Sequence, residues 1–221
     1  MNDPGTDLLL WAKGPGFAIA LTVFVLGVIL RLIEVLALRR KTDLAAKKGE
    51  ARSEGWRNVW RRFLPRADMM AKQPVVHIGG YIFHIGLFIV VFLFVPHIVL
   101  IRDALGFAWP GLPNGIVDGV TLVTMVAMVA VLWARVKDPV KKHLSEFEDY
   151  VTWVVTFLPL LTGYMAVNRL LLNYDMMLAL HILSVELLLI VFPFTKLMHG
   201  ITWVFARYYS GAIAGRKGAH S

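Results

Sequence analysis

The stretch VVHIGGYIFHIGLFIVVFLFVPHIVLI, residues 75–101, decides the fold. It holds no Asp, Glu, Lys or Arg, and it exceeds the roughly 20 apolar residues that a helix needs to cross bilayer hydrocarbon. Inside lipid the backbone must satisfy its own hydrogen bonds, so such a run is read as a helix. Four further blocks read the same way: residues 16–38, 116–136, 150–172 and 176–205. The expected fold is all-α, an integral membrane bundle of five transmembrane helices in a single domain, 1–221.

Composition agrees. The chain is 57% hydrophobic with a mean hydropathy of +0.64, whereas soluble domains are usually nearer half apolar. No cysteine is present. That excludes disulfides, iron–sulfur clusters, thiolate zinc sites and covalently attached c-type haem on this chain. The start, Met-Asn-Asp-Pro, lacks the basic region of a cleavable signal peptide, so the first apolar block is expected to stay as a span.

The net charge of +8 is concentrated in loops. Arg39, Arg40, Lys41, Lys47, Lys48, Arg52, Arg57, Arg61, Arg62, Arg66 and Lys72 separate spans one and two. Arg135, Lys137, Lys141 and Lys142 separate spans three and four, and Arg207, Arg216 and Lys217 follow span five. With five spans these regions share one side, which the positive-inside rule makes cytoplasmic. The N-terminus then lies outside and the C-terminus inside a bacterial inner membrane. Basic clusters beside spans imply anionic lipid as the partner rather than nucleic acid. Within the 39–74 loop, Trp56, Val59, Trp60 and Phe63 recur at helical spacing. This amphipathic segment suits the headgroup layer or a docking surface for a cytoplasmic subunit.

Histidine inside a span is a functional candidate, and the chain has seven. On one unbroken fifth helix, His181 and His199 would share a face about five turns, or about 27 Å, apart. One metal cannot take both, but two haems can, one per leaflet. Span two supplies second ligands: His77, His84 and His97. Because the two spans run oppositely, depth pairs His84 with His199 and His97 with His181. An ideal helix would turn His97 roughly 140° from the face of His84. Pro96 just before it can bend or rotate the helix there. His77, only ~10 Å from His84 along the axis, is the other candidate on that span. Glu186 reads as a proton relay for quinone or as a structural hydrogen-bond partner. Arg102 and Lys196 suit haem propionates or headgroups.

Two segments carry a resemblance. Tyr81-Ile82-Phe83-His84-Ile85-Gly86, and Leu180-His181-Ile182 with Phe192-Pro193-Phe194-Thr195-Lys196-Leu197-Met198-His199, resemble the membrane cytochrome b (gamma) subunit family of respiratory nitrate reductase. Related subunits serve heterodisulfide-reductase-like and sulfur-metabolism complexes. The resemblance implies two haem b groups. His84 and His199 would be the inner ligands and His181 an outer one, with a quinone site near the outer haem and a cytoplasmic iron–sulfur partner. The family's second histidine on span two comes earlier than His97, near the position that Phe94 occupies here. The resemblance does not assign nitrate as the substrate. The alternative expectation is a small transporter or a haem-free membrane anchor. A reporter active only in the cytoplasm, fused after Ser221, is expected to give signal, and a signal from one active only outside the cytoplasm reverses the orientation.

Overall fold

The computed structural model describes residues 3–38 and 46–219. The described residues are helical apart from turns and one isolated bridge, Phe94 with Leu112. Arg39, Arg40 and Lys41 of the basic loop, and His220, lie outside the described residues. Five helical bodies are long and apolar enough to cross a membrane: Pro4–Ala37, Pro74–Leu93, Asn114–Lys137, Phe147–Val167 and Tyr174–Phe194. The chain is a multi-pass helical membrane protein.

The first body is α1 (Pro4–Trp11), a π-turn (Ala12–Gly16) and α2 (Phe17–Ala37) in direct succession. It starts earlier than the expected 16–38, because Asp3 caps Gly5 and Pro4 opens the helix. Next come α3 (Ala51–Arg61), α4 (Ala67–Lys72), α5 (Pro74–Leu93), α6 (Val95–Leu105), α7 (Asn114–Lys137) and α8 (Pro139–Leu144). The chain ends with α9 (Phe147–Val167), α10 (Tyr174–Val191) and α11 (His199–Arg216). A capping box of Glu146 and Asp149 opens α9, and the Asn173 side chain caps α10 through the Met176 amide at 2.9 Å. In space α5 packs on α7, α7 on α9, α9 on α10, and α10 on α1 and α2. Met125, Met128 and Leu160 centre the core between α7 and α9. Leu26, Leu30 and Val126 are more than half exposed, as lipid-facing side chains are.

Two of the expected spans are broken. Span two divides at Phe94, whose backbone is extended (φ −82°, ψ 124°) before α6 restarts at Val95. Pro96 has no N–H to give the Phe92 carbonyl. The indole of Trp109 donates to that oxygen instead at 2.6 Å, and the Leu112 amide donates to Leu93 O at 2.8 Å. The expected single fifth helix, 176–205, also fails. It stops at Val191, passes through 3-10 turns at Phe192–Phe194 and Lys196–Met198, and resumes at His199. Pro193 removes another amide, and Thr195 is extended (φ −129°, ψ 179°). Thr195 Oγ1 donates to Val191 O at 3.1 Å, and Arg31 Nε donates to Pro193 O at 3.1 Å. Pro193 is fully buried where Gly27 of α2 lets it approach, since a Cβ there would lie 2.6 Å from its ring. His181 and His199 are therefore on different helices.

After this break α11 packs on α3. Small residues permit it: a Cβ on Gly211 would meet the Glu54 carbonyl at 2.6 Å, and one on Gly215 the Glu50 carbonyl at 2.7 Å. Asn58, 1% exposed, donates to Arg207 O at 2.6 Å and accepts from Arg62 Nε at 2.9 Å. Val59 turns into this seam, while Trp56, Trp60 and Phe63 form an exposed aromatic ridge along it. Tyr81 of α5 ties the pair to the bundle by donating to Phe63 O at 2.6 Å. Asn58→Ala removes the bond to Arg207 O and leaves a gap in the seam, and is expected to loosen the α3–α11 pair by about 1–3 kcal/mol. Faster tryptic cleavage between Lys47 and Lys72, with the spans intact, is the expected readout, and unchanged protection contradicts it.

Candidate functional site

The two breaks carry the histidines. His97 sits one residue past Pro96 in α6, and His199 opens α11. The His84 and His199 ring centroids are 6.2 Å apart with planes at 74°. Those of His97 and His181 are also 6.2 Å apart, nearly parallel at 19°. The break at Phe94 resets the helical phase, so His97 reaches α10 although an unbroken helix would have turned it away. His77 accompanies neither pair; its Nδ1 donates to Gln73 O at 2.8 Å. His143 lies on α8, at the basic end of the bundle.

The imidazoles share one hydrogen-bonding pattern. Nδ1 of His84 lies 2.7 Å from Gly80 O, that of His97 2.9 Å from Val90 O, and that of His199 2.7 Å from Lys196 O. A carbonyl only accepts, so each Nδ1 carries the proton and each Nε2 keeps its lone pair. His97 receives a carbonyl that the break released, because extended Phe94 does not continue the ladder to Val90. At His181, Nδ1 lies 3.4 Å from Thr162 Oγ1. That hydroxyl gives its own proton to Leu158 O at 2.7 Å, so it accepts from the ring. Beside it, Gly163 makes room for the ring, where a Cβ would sit 3.0 Å from His181 Cε1. Thr162 and Gly163 escaped the sequence reading; the only signal was a Thr-Gly pair within an apolar span.

Two imidazoles at a suitable spacing could hold one metal between them. Imidazole nitrogens bind first-row metals at about 2 Å, and each lies about 1.2 Å from its ring centre, so opposed ligands place their centroids about 6.4 Å apart. Both pairs have this spacing. Among the described residues there is no group of three or more His, Asp, Glu or Cys that could enclose a metal ion. A centre here would need a cofactor to supply its remaining ligands. His84 and His199 are exposed at the protein surface, an unfavourable position for bare imidazoles facing lipid.

Lys196 and Arg102 are already engaged. Lys196 Nζ lies 3.1 Å from Asp149 Oδ1 and 3.2 Å from Glu146 Oε2, and its amide donates to Glu148 Oε1 at 2.6 Å. The Asp149 hydrogen bond, ahead of that from Glu146, holds its ammonium above the usual lysine range. Arg102 pairs with Asp103 at 2.8 Å. Glu186 lies about 140° around α10 from His181 and faces the other way. It is buried against the π-turn, where a Cβ on Gly16 would meet its Oε1 at 3.0 Å.

Fold and side chains thus define a five-span helical membrane protein with two close histidine pairs. The chain is similar to a protein of Nitratidesulfovibrio vulgaris, 33% identical over 137 residues. The match covers 62% of this chain and spans about 60% of the relative's length. No family model matches the chain, and no solved structure does. Selective 15N labelling of histidine in metal-free protein is expected to show a proton on Nδ1 at His84, His97 and His199. Protons on Nε2 there contradict the geometry.

Proposed function

We propose that this chain is the dihaem b-type membrane subunit of a respiratory redox complex. It would transfer electrons between membrane quinone or quinol and an iron–sulfur subunit on the cytoplasmic side. The observation that carries the reading is the pair of imidazole couples, each at 6.2 Å, on helices that run antiparallel. His84 with His199 would hold one haem, and His97 with His181 the other. Each haem, when bound, supplies one-electron redox chemistry, and saturation by two histidines favours electron transfer over oxygen chemistry. The chain's own work is positional. The Nδ1–H donations fix tautomer and ring direction, as a metal's outer shell normally does. The couples lie about 20 Å apart along α5–α6, one toward each face of the membrane.

The basic residues at Lys47–Lys72, Arg135–Lys142 and Arg207–Lys217 lie at the His84–His199 end, which supports a cytoplasmic location for that centre. The outward couple, His97 with His181, is then the one nearest the quinone site that the resemblance implies. Arg102 and Lys196 would have to exchange their present carboxylate partners for propionates. The resemblance to nitrate reductase gamma subunits agrees with this arrangement and leaves the terminal substrate of the complex open.

A haem-free transporter or anchor is the competing reading, and pigment separates them. Purified chain is expected to contain two haem b by pyridine haemochrome. His84→Ala and His199→Ala should remove one and the same optical signal, and His97→Ala and His181→Ala the other, while His77→Ala keeps both. Folded protein without haem overturns the proposal, and loss of a haem in His77→Ala but not in His97→Ala overturns the pairing.

A further inference from the structure

One group at membrane depth is left over from the histidine centres. Glu186 is 5% exposed, and its Oε1 is buried without a hydrogen-bond partner. It lies about 16 Å of helix from Asp175 at the start of α10, well inside the span. The wall facing it is the π-turn Ala12–Gly16, where Ala12 and Gly16 are buried and Pro15 has no N–H to give. Trp11 leans over the same glycine, 2.6 Å from where its Cβ would be. A π-turn interrupting an apolar helix often marks a functional position. Here it brings a bare glycine against an acid with an unmet oxygen.

Among the described residues, no charged group is placed to neutralise it. On the elements packed against α10, Lys13 of the π-turn is exposed. Arg31 of α2 is committed to Glu34 and Pro193 O. Glu148 and Asp149 of α9 are bound to Lys196. Asp7 and Asp175 are acidic and lie near the N-terminal ends of α1 and α10. Tyr164 packs on the core between α7 and α9, and Tyr150 belongs to the opposite end of α9. His181, about 7.5 Å away along the axis, turns its ring toward Thr162. A carboxylate in such surroundings is stabilised only by taking a proton or by positive charge arriving nearby.

We propose that Glu186 is a redox-linked proton site, binding one proton when an electron reaches the His97–His181 centre and releasing it when the electron leaves. The inference rests on the dihaem reading. Its balance is simple: one electron from a quinol, or from dithionite in vitro, and one proton from water join the protein together, and the O–H bond of the acid is the sole bond formed. The reverse step breaks it. An electron at the centre adds negative charge that little solvent screens, so the neighbouring carboxyl gains proton affinity. By linkage, the midpoint potential of that centre falls as pH rises. The His84–His199 centre, further along the bundle, responds less.

Optical redox titration of the intact chain across neutral pH, in wild type and in Glu186→Gln, tests this. The wild-type outer centre is expected to show a pH-dependent potential, and E186Q to lose that slope while keeping both haems. Equal slopes in the two proteins, with both haems bound, overturn the proton site and leave the dihaem reading intact. Protein without haem defeats the dihaem reading and this inference with it. Should E186Q not fold, redox-difference infrared spectra of the wild type decide. A carboxylic-acid C=O band that appears on reduction and shifts in D2O and in Glu186→Asp supports the site, and its absence from wild type overturns it.

Discussion

A backbone carbonyl released inside hydrocarbon must find another donor, and much of this structure follows from that rule. Pro96 and Pro193 each withhold an amide in the middle of an apolar stretch. The donors that replace them are an indole, a guanidinium, a hydroxyl and two imidazoles. Trp109 thereby fastens the loop after α6 to the end of α5, and Arg31 fastens α2 to the break beyond α10. His97 and His199 are held in the same way, each by a carbonyl at or beside a break. Satisfying the backbone and aiming the imidazoles are one event.

That coupling explains why the pairs converge although α5 and α10 stand apart in the packing order α5, α7, α9, α10. Without the break at Phe94, His97 would point away from α10. Without the break after Val191, α11 would continue along the span instead of folding onto α3. The seam of Gly211, Gly215 and Asn58 then anchors α11, with Tyr81 joining it to α5 beside His84. The His84–His199 couple is thus braced by a polar, small-residue interface, and the other couple by Thr162 and Gly163 in the C-terminal third of α9.

Much of this was legible in the sequence, for identifiable reasons. Five spans followed from long, predominantly apolar runs. The pairing by depth followed from antiparallel helices and a constant rise per residue. Pro96 was visible as a place for a bend, although a proline shows where an amide is missing and not how the helix resumes. Pro193 stood equally plain, but the span was read as unbroken from the length of its apolar run; Thr195 and Lys196 just after it were the polar signal of a stop. The Trp56 and Trp60 spacing gave a helix correctly, while the face that packs inward, Glu54, Asn58 and Val59, depended on the unforeseen return of α11. Gly14 and Pro15 were placed before the first span and Gly16 at its start; in the structure all three belong to a π-turn inside it, and Gly16 faces Glu186. The roles of Thr162 and Gly163 required knowing which side of α9 meets α10.

The central claim is that each imidazole couple brackets a single planar cofactor through its two Nε2 atoms. A density map of the purified chain in a lipid disc, at a resolution that shows side chains, tests it most directly. The account predicts two flat densities, one between His84 and His199 and one between His97 and His181, each with a metal about 2 Å from both Nε2 atoms. A map in which lipid or water fills those gaps, with the imidazoles hydrogen-bonded to neighbouring protein through Nε2, would contradict it.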